Sequence, residues 1–178
     1  MGVEESDMTE LSAPPLTVRQ PGEGPTGGLV PGLGVVWKLD TEQTNGLVSV
    51  VEHPFAVGTL VPPHIHHRED EYSIVTEGRI GFRSGDREVV LGVGGYITKP
   101  REEVHSMWNA GDVPARMIEI ISPGGFEGFF RELSALVATG PPSLDARLEI
   151  AERYGLEFAE PSWLPDIIER YNLTPPPG

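Results

Sequence analysis

The sequence predicts an all-β fold of antiparallel strands with a C-terminal helical extension, and three observations carry that reading. Between about Val35 and Ser122 the chain is a run of short stretches rich in Val, Ile, Thr and aromatic residues, each ended by Gly, Pro, Asn or Asp. These stretches recur every ~8 to 12 residues with no helical pattern between them, which favours antiparallel pairing in a sandwich or barrel over a parallel sheet. After Pro123-Gly124-Gly125 the apolar period lengthens to that of a helix. A chain of 178 residues and 19.3 kDa has room for one cored domain with tails rather than two ordinary domains.

Taken in order, residues 1–28 are rich in Pro and Gly and poor in large apolar side chains, so they are expected to be a loose arm. Strands are expected near residues 35–39, 47–55, 72–77, 79–83, 88–91, 96–99, 105–109 and 115–121. Asn45-Gly46, Gly78, Ser84-Gly85-Asp86, Gly92 to Gly95 and Ala110-Gly111-Asp112 mark the turns between them. The barrel or sandwich then occupies residues 29–122. Within 123–178, Phe126, Phe129, Phe130, Leu133, Leu136 and Val137 form one helical stripe that Gly140-Pro141-Pro142 ends. Ser143 can cap a second helix with Leu144, Leu148 and Ala151 on one face and Gly155 at its end. Pro165 and Asp166 suit the first turn of a third helix carrying Ile167, Ile168 and Tyr171. These helices are expected to pack on the β-structure.

Composition narrows the function. With no cysteine there is no disulfide, thiol nucleophile or thiolate metal ligand, so a metal must be held by His, Asp or Glu. A net charge of −14 without a basic cluster argues against nucleic acid and anionic membrane as partners. No apolar run approaches the ~20 residues of a membrane span, and the acidic start Met1-Gly2-Val3-Glu4-Glu5 lacks the layout of a signal peptide, so a cytoplasmic location is expected.

The chain has five histidines, and their placement is uneven. In the segment Gly58 to His66 the two-residue period of a strand sends His64 and His66 to one face, while Pro62-Pro63 holds the approach extended. Two imidazoles aimed at one volume are a start to a divalent-metal site. A carboxylate follows, and alternation alone does not choose among Glu69, Asp70 and Glu71: strict period two from His66 selects Asp70, whereas a connection at His67-Arg68-Glu69-Asp70 would reset the alternation and let Glu71 face inward. His67 should point outward, and His53 is left without a role.

Gly58, His64, His66, Glu71 and Gly78 fill a pattern of Gly, five residues, His-x-His, three or four residues, Glu, six residues, Gly. Gly94, Pro100, His105 and Asn109 fill a second pattern, Gly, five residues, Pro-x-Gly, two residues, His, three residues, Asn. Its middle Gly is Glu102 here, a residue less at ease than Gly at positive φ. Over residues 35–122 the chain thus resembles the cupin family, and more loosely, through Ser122 to Leu133, small bacterial cupins similar to flavonol (quercetin-type) 2,3-dioxygenases.

The resemblance implies a jelly-roll barrel in which His64, His66, Glu71 and His105 converge on one divalent transition metal: iron, manganese, nickel, cobalt or zinc. It further implies an oxygen-using dioxygenase acting on a small aromatic or enol-type substrate, with Glu71 taking the substrate's hydroxyl proton. A metal-dependent isomerase, cyclase or decarboxylase using the metal as Lewis acid, and a non-catalytic binding module, are the competing readings, because a fold does not fix a function. Met107, which shares a face with His105, is expected in the pocket wall together with Tyr72 and Phe82. A homodimer is expected, with the N-terminal arm and the helical stripes as candidate contacts.

Overall fold

The computed structural model describes residues 13–176; residues 1–12, which include most of the expected arm's acidic start, and 177–178 lie outside the described residues. Eleven strands and three helices follow one another: β1 (Thr26–Val30), β2 (Leu33–Leu39), β3 (Ser49–Phe55), β4 (His64–His66), β5 (Asp70–Glu77), β6 (Arg79–Ser84), β7 (Arg87–Gly92), β8 (Tyr96–Lys99), β9 (His105–Asn109), β10 (Ala115–Ser122), α1 (Glu127–Ala138), α2 (Leu144–Tyr154), β11 (Leu156–Phe158) and α3 (Leu164–Tyr171). All pairings are antiparallel and make two sheets, β1-β2-β3-β10-β5-β8 and β11-β4-β9-β6-β7, the two walls of a jelly-roll barrel.

Alternation decides what enters the barrel. Along β10, Ala115, Met117, Glu119 and Ile121 are buried and their neighbours are not; along β3 the inward set is Ser49, Val51, His53 and Phe55. On β5 the buried residues are Glu71, Ser73 and Val75. The apolar part of these sets, with Ile80, Phe82 and Met107 from the other wall and Phe126, Phe129, Phe130 and Leu133 from α1, forms one continuous core. A smaller cluster of Leu60, Trp108, Ile167 and Leu173 seats α3 on the outside of the second sheet.

Three expectations need correction. Strand β1 begins inside the segment read as arm: its Gly27 serves packing rather than a loop, because a Cβ there would run into the Ser134 hydroxyl of α1. The C-terminal segment also does more than pack on the barrel, since β11 pairs with β4, setting Leu156 opposite His66 and Phe158 opposite His64. On α2 the buried residues are Ile150 and Ala151, while Leu144 and Leu148 are exposed, because the contacts with α1 and β11 turn the helix away from the expected stripe. Its caps are as read: the Ser143 hydroxyl accepts from the Ala146 N–H, and Gly155 ends the helix at φ 67°.

Candidate metal centre

His64 and His66 project from β4 into the barrel, His105 faces His64 across the β4–β9 pair, and Glu71 enters from β5 in the opposite sheet. The strand that holds Glu71 begins at Asp70, so the connection resets the alternation: Glu71 is buried, whereas Asp70 turns out to Arg101, 2.8 Å away. One ligand atom from each of the four side chains lies within 4.8 Å of every other. The imidazole rings are 4.3–5.4 Å apart, centre to centre.

The backbone sets which nitrogen of each ring faces the centre. The His64 Nδ1 lies 2.7 Å from the Pro62 carbonyl and the His105 Nδ1 3.1 Å from the Glu103 carbonyl; a carbonyl only accepts, so both rings donate from Nδ1 and keep a lone pair on Nε2. The His66 Nε2 and His105 Nε2 lie 3.3 and 3.2 Å from the Glu71 carboxylate, yet both nitrogens are buried without a hydrogen bond. Burial, with the other histidines alongside, holds His64 well below its ordinary pKa, and burial lowers His105 as well. Three imidazoles and a carboxylate, with orphaned nitrogens converging, fit a divalent cation.

Around this centre stands a buried ion pair that sequence reasoning missed. The Lys99 ammonium, at the end of β8, lies 2.8 Å from Glu71 Oε2 and 2.7 Å from Glu119 Oε1, and all three side chains are at most 3% exposed. The Ser73 hydroxyl donates to Glu119 at 2.7 Å, and Lys99 Nζ reaches Met107 Sδ at 3.4 Å. Burial pushes Glu71 up, but His66, Lys99 and His105 outweigh it and hold the carboxyl well below its usual range. Burial and the nearby Glu71 push Glu119 up to about 7, while Lys99, despite burial, is held above its ordinary value by the two carboxylates. The signal was present in the sequence: a Glu on the inward face of an otherwise apolar β10 needs a partner.

The centre opens on a cavity of about 80 Å³ whose walls are mostly apolar, with Phe126, just before α1, and Phe129 and Phe130 of α1 on one side. Met107 lines it. Tyr72 does not: Glu71 and Ser73 point inward, so alternation turns Tyr72 to the outside, 40% exposed. Phe82 is buried in the core between the sheets and is not part of the cavity wall. His67 is on the surface between Glu102 and Glu157, 2.9 and 3.2 Å away, which raise its pKa. Glu102 does adopt the left-handed turn that its position requires, at φ 63°, and its N–H donates to the His66 carbonyl at 2.8 Å. His53 lines the cavity beside the ligands.

Residues 52–121 match the family model of the cupin domain and contain all four clustered side chains. Over those residues, the central part of the barrel, the chain is similar to a cupin domain. A germin-like protein, subfamily T member 2 of Arabidopsis thaliana, is 41% identical over 69 residues, 36% of this chain and 31% of that protein. The chain spans less than half the length of the curated relatives it matches, 31% and 41%. Among solved structures, an RmlC-like cupin from Shewanella frigidimarina has a TM-score of 0.55 at 18% identity, covering 65% of this chain and 98% of that one. The polyketide cyclase RemF from Streptomyces resistomycificus has a TM-score of 0.52 at 20% identity, covering 60% and 79%. At such identities the likeness to these cupins concerns the fold.

Proposed function

We propose that this chain is a metal-dependent cupin enzyme that uses dioxygen on a small, mostly apolar enol-type molecule. The observation that carries the reading is the position of the His64, His66, Glu71 and His105 cluster, the first three of which line an apolar, aromatic-walled cavity. Such walls admit an apolar substrate and dioxygen and exclude bulk water, whereas a sugar would find few polar partners. A divalent metal held by those four side chains would polarise a substrate oxygen and make its hydroxyl more acidic. Glu71, kept ionised by its neighbours, is in the form that accepts a proton, although the Lys99 contact makes it a weak base that requires an acidified substrate.

Size argues against the flavonol class. The cavity's 80 Å³ is roughly half of the ~150 Å³ apolar cavity that takes up benzene, so a three-ring molecule does not fit without a large movement of α1.

Chemistry without oxygen is the second reading, and Glu119 favours it: a cavity-lining carboxyl pushed up to about 7 suits the proton transfers of an isomerase, cyclase or decarboxylase. One experiment separates the two. The chain is loaded with iron(II), manganese or nickel and offered a panel of small enols and hydroxy-carbonyl compounds with and without oxygen. Product that forms only with stoichiometric oxygen uptake supports the dioxygenase; equal turnover without oxygen replaces it with the Lewis-acid reading. His64→Ala, His66→Ala and His105→Ala should each remove most of the bound metal by elemental analysis, and a wild-type chain that takes up no iron, nickel or zinc refutes both.

A further inference from the structure

His53 is a fifth histidine in the barrel, outside the four-residue cluster, and nothing in the metal chemistry uses it. It enters from β3 and is 4% exposed, in the wall of the same cavity as His64, His66 and Glu71. Its Nδ1 lies 2.9 Å from the Gly34 carbonyl, so the ring proton is on Nδ1 and a lone pair is on Nε2. The Phe130 ring packs edge-on against it with centroids 5.1 Å apart, which holds its plane. Burial pushes it down to about 4, so at neutral pH the ring is an uncharged acceptor.

The other polar groups of the cavity wall meet one another or converge on the metal centre. Glu119 is taken up by Lys99 and Ser73, and His64, His66 and Glu71 face one another. The Nε2 of His53 makes no hydrogen bond among the described residues. An acceptor in the cavity wall with no protein donor is matched by a hydroxyl or an N–H brought in from outside.

We propose that His53 is a substrate-binding residue: its Nε2 accepts a hydrogen bond from a hydroxyl group of a small hydroxy-carbonyl or enol whose remaining surface is apolar. The inference rests on the reading of the cavity as the substrate site and adds the substrate's donor to it. The group that contacts the metal centre and the hydroxyl that contacts His53 then fix the substrate at two points, and an analogue lacking the hydroxyl leaves His53 buried and unpaired.

The test uses the full chain loaded with zinc and two probes of equal size, hydroxyacetone and 2-butanone, which differ by a hydroxyl in place of a methyl group. NMR titration gives the affinity for each. The preference for hydroxyacetone should fall roughly tenfold in His53→Leu, with 2-butanone binding changed less than twofold, and His53→Gln should keep part of it because its amide oxygen still accepts. In wild-type chain labelled with ¹⁵N-histidine, the His53 Nε2 resonance should move with hydroxyacetone and stay in place with 2-butanone, a readout that does not depend on the variants folding. An unchanged preference in a folded His53→Leu, or a Nε2 resonance that does not move while hydroxyacetone binds, overturns the inference and leaves the metal reading intact. A wild-type chain that binds neither probe overturns the cavity reading as well, and one that binds no zinc but keeps the His53-dependent preference overturns the metal reading alone.

Discussion

Replacing Lys99 by Met tests the buried charge network most directly, because the two side chains are similar in volume and the change removes the ammonium without opening a cavity. In the folded chain Lys99 is the counter-charge to two carboxylates, at 2.8 Å from Glu71 and 2.7 Å from Glu119. Breaking a buried ion pair from one side costs about 3–5 kcal/mol. The lower end applies here: Glu119, already near 7, can take up a proton at neutral pH instead of remaining charged, so the penalty falls chiefly on Glu71. A loss of about 3 kcal/mol corresponds to a fall in melting temperature of roughly 6–12 °C for a chain of this size. The control is Lys38→Met, whose pair with Glu52 is 3.3 Å long and more open, 12% and 19% exposed, and should cost less than about 1 kcal/mol. Urea and thermal unfolding of the metal-free proteins measure both. Zinc should then raise the melting temperature of Lys99→Met more than that of wild type, since the metal supplies Glu71 with the cation it has lost. If Lys99→Met melts within about 2 °C of wild type, or no lower than Lys38→Met, the buried network is not what compensates Glu71.

Acid should destabilise the metal-free chain. His53 is pushed down to about 4 from an ordinary 6.5, so the unfolded chain binds the proton first, and the stability it contributes above pH 6.5, about 3 kcal/mol, is lost as pH falls through 4; the lowered His64 and His105 act in the same direction. Glu119 acts oppositely between about 4.5 and 7, so urea unfolding across pH 4 to 7 that shows rising stability toward acid would mean that Glu119 dominates the three histidines. At the left-handed turn, Glu102→Gly should be more stable than Glu102→Ala by about 1 kcal/mol in thermal melts, because both lose the His67 contact and only glycine is at ease at φ 63°; equal stability would refute the strain. A homodimer is expected, with the edge strand β8 and its exposed Tyr96 beside Tyr72 as a candidate contact, and light scattering at micromolar protein giving a mass near the 19.3 kDa of one chain would reject it.

The strands were legible where hydrophobic alternation and turn residues agree. Tyr96–Lys99 and His105–Asn109 occupy the residues expected of them, and the other barrel strands from β2 to β10 differ by a few residues at their ends, except β4, for which no bounds were expected beyond the His64-x-His66 alternation. The misses share a cause. β1 and β11 are short edge strands in which a local pattern of Gly or of helix ending overrides the weak strand signal; β11 moreover pairs with a strand far away in sequence, β4. The α2 face was misread because leucine spacing alone does not say which side of a helix meets its neighbours: Ile150 and Ala151 meet them, and Leu144 and Leu148 do not.

The four clustered side chains were legible because a strand fixes the direction of His64 and His66, and motif spacing brings Glu71 and His105 to them. What surrounds them was not, because it depends on register between strands distant in sequence. Glu71 stands opposite Lys99 on β8 and opposite Ile121 on β10, and Ser73 stands opposite Glu119; only those pairings bring an ammonium and a second carboxylate to the centre. Read singly, Lys99 ends a strand and Glu119 interrupts an apolar one, and each would suggest an exposed edge. Together they require each other: either charge alone in this core would cost several kcal/mol, so the register that pairs them is also the register that brings Glu71 to the histidines. The charges are thus a test of strand pairing as much as a feature of the site. A slip of one residue between β5 and β8 would turn Lys99 outward, leave both carboxylates without a cation, and carry Ile97 out of the core.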